Sequence, residues 1–386
     1  MMAKIVLVVE RNYPPISRSN LRIIKIADVL AKTHEVILVH SGQNSGIEKK
    51  IKLEGLNYKE KKGIFEFISR LKYAKKVAKY IIDNHPNVDY LIGWNFVPNY
   101  ANYLVSKKLK KVKVICDMTD FGWDFFLATH PNVFWGPFVR WIEKMECLNF
   151  PKNAYKVVVV SEFMKMELNA RYNIDLNKIL VMPDGVESGF KSKISKKLVR
   201  SKLGLTSKNK VVVYLGDAEV YDGLDILYNA FKDLVKEIPE ARLLVVGNGR
   251  KYFQRLKKVV LNSPIKEKVI YTGWVQRHEV PNFLNAGDVG VIPSRKRLST
   301  DAIYTFRIFE YFNIGLPVVI SNLETLKTIV TNKLGRITRA GDALALKNSL
   351  YDLLSTNFKP NKKDLKKLLK KFKWSSVLKA YSSLVK

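Results

Sequence analysis

The 386-residue sequence predicts an α/β protein made of two consecutive doubly wound halves. Three observations predict it. Short apolar runs of strand length recur along the chain, most followed by a turn and an amphipathic stretch. The runs are continuous rather than alternating, as in parallel strands buried on both faces. The pattern then begins afresh after Pro183-Asp184-Gly185 and a Lys- and Ser-rich stretch over residues 188–207.

In the first half, Ile5–Val9 is a predicted strand, broken off at Pro14-Pro15. Leu21–Ala31 is a predicted helix, with Ile23, Ile24, Ala27 and Leu30 near helical spacing. Val36–Val39 is the next strand, and the resulting strand–helix–strand unit implies a parallel pair with a right-handed crossover. Further strands are predicted at Tyr90–Ile92, Val112–Cys116 and Lys156–Val160. In the second half, Val211–Leu215 precedes a loop from Gly216 to Gly223 and a helix from Leu224 to Val235. Leu243–Val246, Val269–Thr272, Gly290–Ile292 and Val318–Ile320 complete the predicted strands. The first domain is expected over residues 1–190, joined by a terminal helix over about 374–386, and the second over 191–373. Ligands of open α/β sheets bind outside the carboxyl ends of the strands, so chemistry is expected in the loops that follow them.

The formal net charge of +32 points to an anionic partner or to solvated lysine-rich faces. No nucleic-acid-binding motif accompanies it, so nucleic acid is not expected as a partner. Cys116 and Cys147 are too few for a disulfide framework and stand outside any CxxC pair, and histidine is scarce, so no metal site is expected. A reducing, cytoplasmic setting fits that cysteine usage. Met1-Met2-Ala3-Lys4 runs into a five-residue apolar strand, which does not read as a leader. No stretch approaches the ~20 apolar residues that span a bilayer, so membrane contact is expected to be peripheral.

The segment from Pro293 to Ile320 is the most informative. It reads Pro293-Ser294, a variable loop, Phe306-Arg307-Ile308-Phe309-Glu310-Tyr311-Phe312, then Gly315-Leu316-Pro317-Val318-Val319. Tyr13-Pro14-Pro15, His34-Glu35-Val36, Val160-Ser161-Glu162, Pro183-Asp184-Gly185-Val186, the run Leu243 to Gly249 and Tyr271-Thr272-Gly273-Trp274-Val275 precede it. In this order the motifs resemble glycosyltransferase family 4 over nearly the whole chain. The resemblance implies the GT-B architecture: two facing Rossmann-like domains with a central cleft, and a C-terminal helix returning to the first. It implies a retaining hexosyltransferase that uses a UDP- or GDP-sugar, needs no cofactor, and acts on a membrane-associated, lipid-linked glycan acceptor. The alternative is a catalytically degenerate GT-B protein that binds a glycan or a partner.

The resemblance also assigns residues. Glu310 takes the place of the carboxylate that accepts hydrogen bonds from the donor ribose, a task suited to a charged acceptor. The helix beginning near Thr305 would aim its N-terminal N–H groups at the donor diphosphate, with Arg307 adding charge. Asn248 lies in the glycine turn, and Trp274 or the backbone of Val275 borders the nucleobase. Where the family has an arginine and a lysine after Gly216, this chain has Asp217 and Asp222, and carboxylates would repel a diphosphate. Arg295, Lys296 and Arg297 are the candidate compensating cations. A second family carboxylate would fall at Ala302, beside Asp301.

On the acceptor side, Ser17, Arg18 and Ser19 replace a glycine-rich loop and suit an anionic acceptor. Asp117-Met118-Thr119-Asp120 follows a strand where the family often has a histidine. Asp120 either orients or deprotonates an acceptor hydroxyl, or caps the following turn. Phe121 to Trp141 carries Trp123, Phe125, Phe126, Phe134, Trp135, Phe138 and Trp141, suited to acceptor-lipid contact, interfacial anchoring or a packed lid. Ile64 to Ile82 is amphipathic: the stripe Ile64, Phe67, Ile68, Leu71, Ala74, Ala78 and Ile81 is expected to pack on the sheet, with lying in the lipid interface as the alternative, and its lysines are free to meet an anionic membrane. Lys362 to Lys373 reads as another surface helix with a basic face.

Overall fold

Uninterrupted β-branched runs such as Val211-Val212-Val213 have side chains to bury on both faces, and they lie in the middle of sheets. The computed structural model describes residues 2–10, 21–59, 66–130, 135–187 and 189–385. Ser17, Arg18, Ser19, the Tyr13-Pro14-Pro15 motif, Ile64 and Phe134 lie outside the described residues.

The chain divides into two compact units, residues 1–185 with 374–386 and residues 186–373. The first holds β1 (Lys4–Val8), β2 (Glu35–His40), β3 (Gly46–Glu48), β4 (Ile51–Gly55), β5 (Tyr90–Trp94), β6 (Lys113–Met118), β7 (Lys156–Val159) and β8 (Ile179–Val181). Their order is β3-β4-β2-β1-β5-β6-β7-β8, parallel except for β3 against β4. Ile5 of β1 lies between Val36 and Tyr90. Ile5, Leu7 and Val9 pack under Ile23, Ile26, Ala27 and Leu30, and the returning segment adds Trp374, Val377, Leu378 and Tyr381 to the same core.

The second unit holds β9 (Lys210–Leu215), β10 (Ala241–Val246), β11 (Val269–Tyr271), β12 (Val289–Ile292), β13 (Val318–Ser321) and β14 (Gly335–Thr338), all parallel, in the order β11-β10-β9-β12-β13-β14. Helix Leu224–Glu237 covers one face because Leu224, Leu227, Tyr228, Phe231 and Leu234 recur at helical spacing. Burying a side chain such as Phe231 is worth ~2–3 kcal/mol. The helix stops at Ile238, before Pro239, which cannot continue it.

Two expectations need correction. The buried face of helix Glu66–Asn84 is Ser69, Tyr73, Ala74, Val77, Ala78 and Ile81. Ile68 is 51% exposed, because the buried face runs through Tyr73 and Val77 instead. Strands β3, β4, β8 and β14 were not predicted.

Candidate functional site

In the second unit the chain runs outward from β9 through β10 to β11, then returns to β12 on the other side of β9. That reversal is a topological switch point, where α/β sheets open a crevice for ligands. The β9–β12 ladder stops at Val213↔Gly290, and Tyr311 takes over. Its ring lies against Gly290, where a Cβ would fall 2.5 Å from the ring's Cγ. Its hydroxyl accepts the Leu215 N–H at 2.9 Å and donates to the Val213 carbonyl at 3.1 Å. Tyr311 thereby fastens helix Phe306–Ile314 to the switch point and fixes Arg307 and Glu310.

Glu310 is 5% exposed and pairs with Arg277 Nη1 at 2.8 Å. Arg277 also holds Glu187 at 3.0 Å and lies over the Phe190 ring, 4.2 Å from its centroid. The sequence reading missed Arg277; its position two residues after Val275, at the end of a recognised motif, was the available signal.

Arg307 ion-pairs with Asp222 and donates to Thr305 Oγ1 at 3.2 Å and to the Tyr214 hydroxyl at 3.3 Å. Burial opposes its charge, but Asp222 and the Tyr214 hydroxyl outweigh burial and hold its pKa above the usual value. Asp222 is buried and accepts the Glu219 N–H at 2.9 Å, so it closes the loop as well as neutralising Arg307. Thr305 is the N-cap of the helix, yet its hydroxyl serves Arg307 and not the helix's own N–H groups.

Gly216 and Asp217 abut the next loop: a Cβ on Gly247 would fall 2.6 Å from the Gly216 carbonyl oxygen. Asp217 is exposed, and partial desolvation followed by the Asp222 charge raises its carboxyl above the ordinary range, against Arg307 and Arg250. Asn248 accepts from the Gly249 N–H and from Gln254 at 2.8 Å. Gly247 bridges to Gly273, so Asn248 and Trp274 stand on adjoining loops. Trp274 is 75% exposed, whereas Val275 packs against the core.

Arg295 and Lys296 are not spare cations. Arg295 pairs with Asp225 and donates to the Val220 carbonyl, and Lys296 pairs with Glu324 at 2.7 Å. Asp301 is buried and accepts the Glu324 N–H at 2.8 Å, which makes it a brace for that loop.

In the first unit, Asp117 departs from its expected acceptor role. It is 0% exposed, and both its oxygens accept from Arg22 Nε at 3.0 Å. Arg22 reaches on to Asp184 and to the Met182 carbonyl, each at 3.0 Å, tying β6 to the end of β8. Burial wins over Arg22 in pushing Asp117 up to about 6. Asp120 is half-buried beyond β6 and accepts from Asn95 Nδ2 at 3.4 Å. Burial, then Asp184, raises it to about 6. Trp123 opens helix Gly122–Thr129, and its backbone N–H donates to Glu146 at 3.4 Å. Glu146 was not foreseen. The aromatic rings beyond pack on one another: Phe126 meets Trp135 and Phe138 at 5.7 Å, and Phe138 meets Phe67 edge-on at 4.7 Å. Among the described residues no three His, Cys, Asp or Glu side chains stand together as a metal set, and no helix is long and apolar enough to cross a membrane.

The family model described as Glycosyl transferases group 1 matches residues 209–356. An alpha-monoglucosyldiacylglycerol synthase of Streptococcus pneumoniae is 27% identical over 184 residues, which are 46% of this chain and 40% of that protein. A UDP-Gal:alpha-D-GlcNAc-diphosphoundecaprenol alpha-1,3-galactosyltransferase of Escherichia coli is 29% identical over 166 residues, 42% of this chain and 41% of that protein. The chain thus spans less than half the length of these two curated relatives. The crystal structure of Anabaena Alr3699/HepE in complex with UDP and glucose superposes with a TM-score of 0.75 at 15% identity, covering 99% of each chain. The chain has the GT-B glycosyltransferase fold, and its residues 209–356 match the Glycosyl transferases group 1 family model.

Proposed function

We propose that the chain moves a hexose from a UDP- or GDP-sugar to a membrane-associated, lipid-linked glycan, with retention at the anomeric carbon. The observation that carries this reading is Glu310, a buried carboxylate fastened at the switch point by Tyr311 and oriented by Arg277. A carboxylate so placed accepts two neighbouring ribose hydroxyls. The N-terminal end of helix Phe306–Ile314 and Arg307 lie beside it for the diphosphate. Gly216, Asp217 and Asn248 on the adjoining loops border the sugar and phosphates, and Trp274 or the Val275 backbone borders the base.

In this reading the acceptor oxygen bonds the anomeric carbon on the face from which the diphosphate departs. The old C–O pair leaves with the phosphate, whose growing charge meets the helix N-terminus and Arg307. Asp120 receives the hydroxyl proton, with Trp123 beside it and Arg18, Ser17 and Ser19 toward the acceptor. No cofactor takes part. The two relatives' names, one a diacylglycerol glycolipid synthase and one acting on a diphosphoundecaprenol, support a lipid-linked acceptor. The HepE complex supports a UDP donor. The exposed Lys72, Lys75 and Lys79 and the net charge of +32 suit peripheral binding to an anionic, cytoplasmic membrane face.

A panel of UDP-, GDP- and ADP-sugars with a lipid-linked acceptor tests the reading by nucleotide release. Glu310→Ala should weaken nucleotide binding ~10-fold or more, the loss of about 1.4 kcal/mol; unchanged binding overturns the assignment. The Arg307–Asp222 pair favours a second reading, a GT-B protein that binds nucleotide or glycan without turnover. Calorimetric binding of a nucleotide with no release from any donor would select it.

A further inference from the structure

Asp120 has a second carboxyl for a neighbour. Glu146 arrives from Lys144–Asn149, a wider π-helical turn of the kind that often marks a functional position. The two carboxyls approach across Gly122: a Cβ there would lie 3.2 Å from Glu146 Oε1 and 3.6 Å from Asp120 Oδ1. A side chain at Gly122 would crowd Glu146. Glu146 is 2% exposed.

Asp120 is held from its other side. Asn95 Nδ2 donates to it, while the side-chain oxygen Asn95 Oδ1 accepts from the Thr119 N–H at 3.0 Å and the Thr119 hydroxyl at 2.9 Å. Asn95 does this at φ 58°, ψ −161°. That conformation is almost confined to glycine, costs on the order of 1–3 kcal/mol, and tends to persist at functional sites.

Asp184 faces Asp120, and Asp120 faces Glu146. The thiols of Cys116 on β6 and Cys147 on the same turn also face Glu146. Two adjacent carboxyls do not both ionise readily, so they titrate as a pair. Burial first, and then Asp120, push Glu146 up to about 8, against the backbone N–H groups of Trp123 and Gly122.

We propose that Glu146 is a positioning residue that keeps a proton beside Asp120, so that Asp120 alone carries the negative charge and takes the acceptor hydroxyl's proton. This rests on the glycosyl-transfer reading above. As the acceptor oxygen bonds the anomeric carbon, its O–H bond breaks and the proton passes to Asp120. The electron pair of the broken glycosyl–phosphate bond leaves with the diphosphate. Glu146 neither gives nor takes a proton in the step. Once ionised, it would repel Asp120 from Asn95.

Two measurements test this. Glu146→Gln keeps the shape and the acceptor for the Trp123 N–H but cannot ionise. In the wild type, kcat/KM should fall about threefold or more between about pH 7 and about pH 9, while in E146Q it stays level with the acid limb unchanged. Superimposable profiles overturn the proposal. The second measurement needs no turnover: a ¹³C carboxyl NMR titration of the wild type and of Asp120→Asn. The Glu146 signal should titrate above about pH 7 in the wild type and at least about one unit lower in D120N, where the neighbouring charge is gone. A Glu146 signal that titrates in the ordinary range, or is unmoved in D120N, overturns the pairing. A wild type without turnover on any donor would overturn the transfer step, and with it this role in catalysis. The titration would still decide whether the pair exists.

Discussion

Arg277 joins Glu310 to Glu187 while lying over the Phe190 ring. The carboxylate assigned to the ribose therefore has its direction set by a residue from the loop after β11. Arg277→Ala removes that guide. Because Arg277 is 38% exposed, the stability cost should be modest, about 1 kcal/mol. The affinity for UDP or GDP should fall about tenfold, a change of ~1.4 kcal/mol, measured by titration calorimetry. Equal affinity in the variant would detach Arg277 from the task of Glu310.

Asp222 and Arg307 cancel one another in a buried pair. Asp222→Asn strands the guanidinium without its counter-charge, and the protein should lose about 3 kcal/mol in denaturant titrations. The charge set loose beside the helix N-terminus should also tighten nucleotide binding several-fold, about 1 kcal/mol. Weaker binding in D222N would mean that Asp222 itself serves the donor.

Tyr311→Phe deletes one hydroxyl that both accepts from Leu215 and donates to Val213. The Leu215 N–H is then left buried and unpaired, at a cost of about 1–3 kcal/mol. Nucleotide affinity should fall with it, since the same bond seats the helix that bears Arg307 and Glu310. A lowered Tm with unchanged affinity would show that the helix is held without it.

The raised Glu146 carboxyl predicts a pH dependence of stability. Its folded value of about 8 exceeds its ordinary 4.5, so the folded state binds this proton more tightly than the unfolded chain. The contribution is fully present below about 4.5 and is lost as pH rises toward about 8. Glu146→Gln cannot ionise, so its stability relative to the wild type should climb over that window by at least about 2 kcal/mol and level off above it. Denaturant midpoints at about pH 5 and about pH 9 check this, and a constant difference between the proteins would refute it.

What the sequence could reveal follows burial. β1, β2, β9 and β10 are apolar runs hidden on both faces, and their composition declares them. β4 alternates, with Ile51 and Leu53 buried and Lys52 exposed, and Ile337 of β14 is 42% exposed, so these outer strands lack the continuous run. Glu310 stood out through the residues around it in one short helix. Arg277, the Asp222–Arg307 pair and Glu146 did not, because their partners come from distant elements: Asp222 and Arg307 are 85 positions apart. A local period records which face a residue uses, and nothing of what it meets there. Ser17, Arg18 and Ser19 lie outside the described residues, so their assignment stands as proposed.

The return of residues 374–385 to the first unit has a consequence for biosynthesis. Trp374, Val377, Leu378 and Tyr381 complete the layer over β1 and β2, yet they follow the whole second unit in the chain. The nascent first unit therefore waits on the ribosome with part of its apolar layer uncovered, while the uninterrupted second unit can close on itself. A nascent chain stalled after residue 373 should bind chaperones through Ile5, Leu7 and their neighbours, and should release them as the next dozen or so residues emerge.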